Sequence, residues 1–124
     1  MNSYLLVFIG GGLGSLARYA LGNTLLKYIH SIFPWSTLTI NILASFILGL
    51  LAGFMFLSPG QNDTQRLLLG VGFCGGFSTF STFTLESFEL IKDGNIGTAL
   101  LYMFASIAVC LLAFYAAYAL MKNA

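Results

Sequence analysis

Alternating phenylalanines and hydroxyl side chains fill a short stretch, GGFSTFSTFTLE, that runs from Gly75 to Glu86. On a helix Phe80 and Phe83 share one face. A phenyl ring has a negative face and a positive edge, so ring edges and hydroxyl protons together can attract a small anion. The alternating part carries no fixed positive charge, which lets a bound anion leave again, as conduction requires. Taken singly, each phenylalanine also fits an ordinary lipid or core contact.

Two other segments carry polar side chains at intervals of four residues, which places each set on one face of a helix. One stripe is Thr37, Asn41 and Ser45, and the other is Tyr102, Ser106 and Cys110. The Asn41 amide has two N–H donors, which fit either a bond between helices or a contact with a passing solute. Ser106 can equally bond to a carbonyl of its own helix. The presence of two such stripes favours a polar path.

The glycine pair Gly75-Gly76 predicts a break in its helix, because glycine tolerates backbone angles that other residues resist. A break in the middle of a membrane frees carbonyl and amide groups, which must be buried in protein or line a wet cavity. Freed carbonyls are good ligands for a hard cation such as Na⁺.

Arg18 is the one unambiguous charge inside the first apolar segment. Its long side chain can reach the nearer membrane surface, or it can lie at a vestibule and attract anions. The depth of Arg18 in the segment favours the vestibule. The preceding glycines, GGGLG, do not form a dinucleotide-binding loop, because Ser15 takes the place of the third glycine and no strand precedes them.

The elements that must position these residues are membrane helices. Of the 124 residues, 58% are hydrophobic and 7% are charged, whereas soluble domains carry about 25% charged residues. A soluble chain of this length could not bury so much apolar surface. The net charge of +1 and the lack of a basic cluster exclude a nucleic-acid surface. The single histidine, His30, lies in a predicted loop, so no nucleophile–base pair of an enzyme is evident.

Four segments are long and apolar enough to span a bilayer, which takes roughly 20 residues. We therefore predict an all-α integral membrane protein with a single domain, residues 1–124. Its third span is broken at Gly75-Gly76, and the segment SPGQND is a strong helix breaker before that span. The predicted spans are residues 4–28, 36–57, 66–91 and 96–121.

Positive charges are balanced between the two ends of the predicted bundle, with Arg66 and Lys122 at one end and Lys27 and Lys92 at the other. A bias in Lys and Arg sets the orientation of a membrane protein, so a balanced chain is predicted to insert both ways. The matching closed assembly is a dimer with its two-fold axis in the membrane plane. Three pairs of small residues could pack helices within one subunit or across the dimer: Gly10/Gly14, Gly49/Gly53 and Gly72/Gly76.

Three motifs together closely resemble the Fluc (CrcB-type) fluoride channels: GGGLGSLARY, TLTIN and GFCGGFSTFSTF. The similarity extends over essentially the whole chain, including its length and its four spans. The resemblance implies an antiparallel, dual-topology homodimer in the bacterial inner membrane, with two pores that export toxic cytoplasmic fluoride without ATP. The implied partners are fluoride, the lipid bilayer and a second copy of the chain.

The resemblance also assigns roles to residues of the pore. Phe80 and Phe83 would form an aromatic box whose ring edges contact fluoride. Asn41 would be the amide donor of the pore. A polar track would be formed by Ser81, Thr82, Tyr102 and Ser106.

Outside the pore, the resemblance implies a central structural sodium ion at the dimer interface, bound by the backbone carbonyls of Gly75 and Ser78. Arg18 would be the vestibule arginine, and Glu86 would be the acidic residue after the aromatic box. One position departs from the family pattern, because Cys110 stands where a serine or another small hydroxyl residue is expected. The outer end of the polar track would be weaker for that reason.

Two other kinds of membrane protein stay open. A proton-coupled transporter resembling the small multidrug resistance proteins would also be short, four-spanned and dual-topology. That family relies on a glutamate in its first helix, where this chain has Arg18, and Glu86 is the only acid here that could titrate deep in the membrane. A structural subunit that only assembles with other proteins would explain the glycine pairs but not the polar stripes.

Overall fold

The computed structural model describes residues 2–58, 60 and 63–123, which form helices joined by short turns. Helix α1 is Ser3–Tyr28 and α2 is Trp35–Leu57. Helix α3 follows α2 as a continuous run of three parts: Asp63–Gln65, Arg66–Cys74 and Gly75–Phe77. The last two helices are α4, Phe80–Lys92, and α5, Ile96–Lys122. The middle part is wound more widely, as a π-helix.

Four helical stretches are long and apolar enough to cross a membrane, and α3 with α4 forms the third of them. Their ends agree with the predicted spans to within one helical turn, which confirms the all-α membrane fold. Of the predicted breaker between the second and third spans, Pro59, Gln61 and Asn62 lie outside the described residues. Gly60 between them has a φ of 87°, a backbone conformation that favours glycine.

Glycines let α1 and α3 approach until their backbones touch. A Cβ atom at Gly14 would collide with the carbonyl oxygen of Phe73 on α3, and a Cβ atom at Gly76 would collide with the carbonyl oxygen of Gly11 on α1. Small residues allow close approach in membrane helices, where van der Waals contact drives association. Two of the predicted pairs therefore pack these two helices within one subunit: Gly10/Gly14 and Gly72/Gly76.

The third glycine pair joins α2 to α5. A Cβ atom at Gly49 would collide with the carbonyl oxygen of Phe114, and one at Gly53 would lie 2.6 Å from the Cβ atom of Met121. The sequence left open whether the glycine pairs act within a subunit or between subunits. Here all three pairs pack helices of the same chain.

Two small buried clusters hold the third span against α2, one on each side of its interruption. On the α3 side, Phe77 packs with Ile40 and Ala44 of α2. On the α4 side, the buried residues are Leu38, Leu90, Ala99 and Tyr102. Only 17% to 22% of the residues in the four spanning windows are buried, so most of the apolar surface is left for lipid or for another copy of the chain.

The break in the third span does not lie at Gly75-Gly76, as predicted, but directly after it. Gly75 is helical, with φ −63° and ψ −39°, and Gly76 is part of the same helix. The extended residues are Ser78, with ψ 158°, and Thr79, with ψ 117°. The predicted interruption of the third span is therefore confirmed, but it begins at Ser78, because Gly76 serves the close approach to α1 rather than an unusual backbone angle.

Candidate functional site

At the interruption, side chains replace the helical hydrogen bonds of the backbone. The Asn41 amide of α2 bonds Thr79 at both of its ends: Nδ2 donates to the Thr79 carbonyl over 3.2 Å, and Oδ1 accepts from the Thr79 amide over 2.9 Å. The Thr79 hydroxyl accepts from the Thr82 amide over 3.2 Å and so caps the start of α4. Since an unpaired buried backbone group costs about 1–3 kcal/mol, these bonds let the chain leave the helix inside a membrane.

The carboxyl end of α3 is closed by two other side chains. The Ser78 hydroxyl donates to the Cys74 carbonyl over 2.8 Å. The Nε atom of Arg18, on α1, donates to the Gly76 carbonyl over 3.1 Å. A cation at a helix carboxyl end is favourable, because the exposed carbonyls there carry partial negative charge. Arg18 therefore stabilises the end of α3.

A cavity of about 250 Å³ lies beside the interruption, and we call it the central cavity. The residues around it come from α2, α5 and both sides of the interruption. Among the described residues that line it, none carries a charged side chain at neutral pH, so hydroxyl and amide groups converge there without a fixed charge. The lining consists of Asn41, Ser45, Ser78, Thr79, Phe80, Phe83, Ser106, Ile107 and Cys110.

The two phenylalanines of the motif form one wall of the central cavity. The ring centroids of Phe80 and Phe83 are 5.4 Å apart, with the planes tilted by 35°. Phe83 also packs on Tyr102, at 5.1 Å between centroids, whereas Phe80 is 78% exposed in the single chain. The cavity is therefore closed by protein on its α5 side and open on the side of Phe80.

Two buried hydroxyls have no hydrogen-bond partner in the part of the chain that the structure describes: those of Ser106 and Tyr102. Ser106 is among the residues that line the central cavity, although its hydroxyl oxygen is itself buried. Tyr102 lies behind Phe83 and also contacts Phe33 edge-on, at 5.5 Å between centroids. A buried polar group without a partner is costly. The Tyr102 hydroxyl lies beside Thr37 and Glu86, so only the Ser106 hydroxyl bears on the central cavity.

A second cavity, of about 480 Å³, lies at the end of the bundle near the α1–α2 turn, and Thr82, Glu86 and Glu89 are among its lining residues. The Thr37 hydroxyl donates to Oε1 of Glu86 over 2.5 Å. This distance is at the short end of the range for hydrogen bonds between a hydroxyl and an oxygen atom. This contact therefore fixes the Glu86 side chain beside the second cavity.

The structure brings together a part of the predicted site. Asn41, Phe80, Phe83 and Ser106 line the central cavity, as does Ser78. The two polar stripes of α2 and α5 therefore do face the interruption, although each stripe is divided. Their first members, Thr37 and Tyr102, lie on the side of Glu86, and their later members line the cavity.

Five predicted residues lie elsewhere. Ser81 is exposed on α4, with its hydroxyl 3.3 Å from that of Thr79. Gly75 lines an adjoining cavity of about 160 Å³, which shares Ser45 and Ser78 with the central cavity. Thr82 faces the second cavity, while Tyr102 is fully buried and Arg18 lies against the end of α3.

Thr79 is the residue whose role the sequence analysis missed. A Ser or Thr directly before a helix is a favoured cap, so the Ser78-Thr79 pair before FSTFTLE could have located the start of α4. No sequence pattern predicted the hydrogen bond from Thr37 to Glu86, because it joins residues that are 49 positions apart.

These features together define a small multi-pass membrane protein with an uncharged polar cavity beside an interrupted helix, as in channels and transporters of small solutes. A family model described as CrcB-like protein, Camphor Resistance (CrcB), matches residues 5–118. The chain belongs to this family.

Curated relatives agree with this assignment. A protein of Pyrococcus furiosus is 50% identical over 107 residues, which are 86% of this chain and 85% of that one. A protein of Rhizobium meliloti is 40% identical over 122 residues, which are 98% of each chain. A protein of Thermus thermophilus is 46% identical over 107 residues, which are 86% of this chain and 85% of that one. All three are named fluoride-specific ion channel FluC, which is the name of a channel and not of an enzyme.

Proposed function

We propose that this chain, as one domain of residues 1–124, is a fluoride-selective channel of the cell membrane that exports cytoplasmic fluoride passively. One observation carries the proposal: the central cavity brings hydroxyls, an amide and two phenyl rings together at an interrupted helix without a charged side chain. Membership of the CrcB family and the names of the relatives support it.

The donors around the central cavity suit fluoride in particular. Fluoride is small and strongly hydrated, so its water molecules must be replaced by donors at close range. Within the described residues, the Ser106 hydroxyl has no hydrogen-bond partner. Asn41 uses one N–H for the Thr79 carbonyl and keeps a second, because a primary amide has two. The edges of Phe80 and Phe83 add weaker positive ends. Chloride is larger, and a narrow path of this kind would exclude it by width.

The proposed working unit is an antiparallel homodimer with two pores. Phe80 is 78% exposed and stands at the open side of the central cavity, so a partner copy would complete that wall. The balance of Arg66 and Lys122 against Lys27 and Lys92 favours insertion in both orientations. An antiparallel pair would bury the same surface on each copy, as a two-fold interface does.

A structural sodium ion at the dimer interface is part of the proposal, with the carbonyls of Gly75 and Ser78 as its ligands. In an unbroken helix these carbonyls would accept from the amides of Thr79 and Thr82. The Thr79 amide donates instead to Asn41, and the Thr82 amide donates to the Thr79 hydroxyl. Both carbonyls are therefore released from their helical bonds, and carbonyl oxygens suit a hard cation. Two copies of the chain would supply four such oxygens.

The main alternative is proton-coupled exchange, which needs a titrating side chain within the membrane. Among the described residues, Glu86 and Glu89 line the second cavity, where Glu86 is held by Thr37, and no acidic residue lines the central one. This position favours a passive channel.

Fluoride efflux from proteoliposomes separates the two mechanisms. A potassium gradient with valinomycin sets the membrane potential, and a protonophore removes any pH gradient. A channel should release fluoride at a rate that follows the potential, with or without the protonophore. Efflux that needs a pH gradient, or that does not exceed the leak of protein-free vesicles, would contradict the proposal.

A further inference from the structure

Ser45 lies where two cavities meet. The central cavity and the adjoining cavity of about 160 Å³ share two lining residues, Ser45 of α2 and Ser78 at the interruption. Ser45 is inside the second membrane-spanning helix, where a charge is costly unless polar groups surround it. An anion that moves between the two cavities therefore needs a hydrogen-bond donor from one of these two side chains.

The two hydroxyls at this junction differ in the proton that they can offer. The Ser78 hydroxyl donates to the Cys74 carbonyl over 2.8 Å, and a hydroxyl has a single proton to donate. The Ser45 hydroxyl lies beside the Cys110 thiol of α5, and sulfur is only a weak hydrogen-bond acceptor. An anion at the junction can therefore take the Ser45 proton without breaking a strong hydrogen bond.

The other polar side chains near the junction do not supply this donor. Cys110 ends the polar stripe of α5 with a thiol, which is a weak donor. Asn41 and Ser106 line the central cavity but not the adjoining one. The hydroxyl of Ser45 is thus the group best placed to bind an anion between the two cavities.

We propose that the Ser45 hydroxyl is a further fluoride-binding group of the path, and that it binds the ion as it moves between the central cavity and the adjoining cavity. The polar path then crosses from α5 to α2 at the level of Cys110. This inference rests on the proposed channel function and deepens it by one residue.

The contact between Ser45 and Cys110 allows the hydroxyl to be moved from one helix to the other. Ser45→Ala removes the donor, and Cys110→Ser places a hydroxyl on the side chain that lies beside it. If the junction needs a hydroxyl from either helix, the second change should compensate for the first. A serine that only packed α2 against α5 would not be compensated in this way.

The experiment measures the initial rate of fluoride efflux from proteoliposomes for wild type, Ser45→Ala, Cys110→Ser and the double variant. Ser45→Ala should be slower than wild type by roughly tenfold, as expected for the loss of a hydrogen bond to a charged group. In the Cys110→Ser background the same change should slow efflux by less than about twofold, because a hydroxyl remains at the junction and the two changes are then not additive.

Ser87→Ala is the matched control, because the Ser87 hydroxyl donates to the Phe83 carbonyl of its own helix over 2.8 Å, and it should keep the wild-type rate. Wild-type efflux in Ser45→Ala, or an equal loss in both backgrounds, would overturn the inference and leave the channel proposal in place. An equal loss in Ser87→Ala would also refute it, since any hydroxyl of the spans would then have the same effect.

Sodium and fluoride are separated by repeating the measurement at a higher sodium concentration. The loss in Ser45→Ala should stay the same, because the missing donor acts on the anion. Recovery of efflux at high sodium would contradict the inference, since Ser45 would then act on the proposed sodium site. If wild type itself releases no fluoride, the channel proposal fails and the role of Ser45 fails with it.

Discussion

Asn41 shows how one side chain can serve both structure and transport. Its amide oxygen and one of its N–H groups hold the backbone of Thr79, and the residue also lines the central cavity. The sequence could not choose between a helix-bridging and a solute-binding asparagine. The structure adds a third role, which is to hold the interrupted backbone. The hydrogen-bond partner of the Asn41 amide is the backbone of Thr79 and not a side chain of another helix.

Changing Asn41→Asp should therefore slow fluoride efflux by roughly tenfold or more, since a buried hydrogen bond replaced by a repulsive contact costs about 1–3 kcal/mol. The carboxylate would face the Thr79 carbonyl and would repel an anion in the cavity. Efflux from proteoliposomes measures the effect. The control is Asn23→Asp, the same change at an exposed position of α1, which should keep the wild-type rate. Wild-type efflux in Asn41→Asp would show that this amide does not act on the path.

The aromatic wall gives a second prediction at this scale. The double change Phe80→Ile and Phe83→Ile keeps apolar bulk but removes the positive ring edges, so it should abolish fluoride efflux while the proposed dimer stays intact in detergent. Size-exclusion chromatography checks the assembly, and efflux checks the function. Phe88→Ile, at an exposed position of the same helix, should conduct as wild type does. Unchanged efflux in the double variant would favour a structural subunit or a different path.

The sequence could predict a site residue where its position followed from residue spacing within a single helix. The four-residue spacing of the stripes placed Asn41 and Ser106 on faces, and those faces do meet at the central cavity. Spacing could not show that Tyr102 lies behind Phe83 or that Arg18 binds the Gly76 carbonyl, because both facts depend on how separate helices pack.

At the scale of elements, the third span shows why glycine is an ambiguous signal. Gly76 permits a close contact with Gly11 of α1 and stays helical, whereas the chain leaves the helix at Ser78 and Thr79. Glycine lowers the cost of both a helix break and a close approach. The sequence therefore predicted that the span is interrupted, but it could not predict where without knowing which helix lies beside it.

The packing of α1 on α3 can be tested with one methyl group. Gly14→Ala should lower the melting temperature, because its Cβ atom would lie 2.9 Å from the amide nitrogen of Phe77, and such overpacking costs about 1–3 kcal/mol. Gly12→Ala is the matched control, since no atom lies within 4 Å of the added Cβ there. Its melting temperature should stay the same or rise, because alanine is the better helix former. Equal melting temperatures for the two variants would contradict the close contact.

At the scale of the whole molecule, the four spans were predictable because hydropathy is a local property of the chain. Hydropathy could not predict the open side of the central cavity, because that side is a surface that the single chain leaves uncovered. Phe80 is 78% exposed and the spans are mostly unburied, which leaves surface for lipid and for the second copy of the chain that we propose.

The proposed dual topology rests on the charge balance and can be tested directly. A side-specific reporter at the C-terminus should be found on both sides of the membrane in comparable amounts. The variant Gln65→Lys with Asn123→Lys adds positive charge at the end that carries Arg66 and Lys122, and it should place that end in the cytoplasm in most molecules. A single orientation of the unmodified chain would contradict the antiparallel dimer.

The most direct test of the account is anion efflux from proteoliposomes loaded with equal concentrations of fluoride and chloride, followed by two ion-selective electrodes under a potassium gradient with valinomycin. An uncharged cavity of hydroxyls, an amide and ring edges should pass the smaller halide and hold back the larger one. We predict that fluoride leaves rapidly while chloride stays inside. Vesicles that retain their fluoride, or that lose both halides at the same rate, would contradict the account.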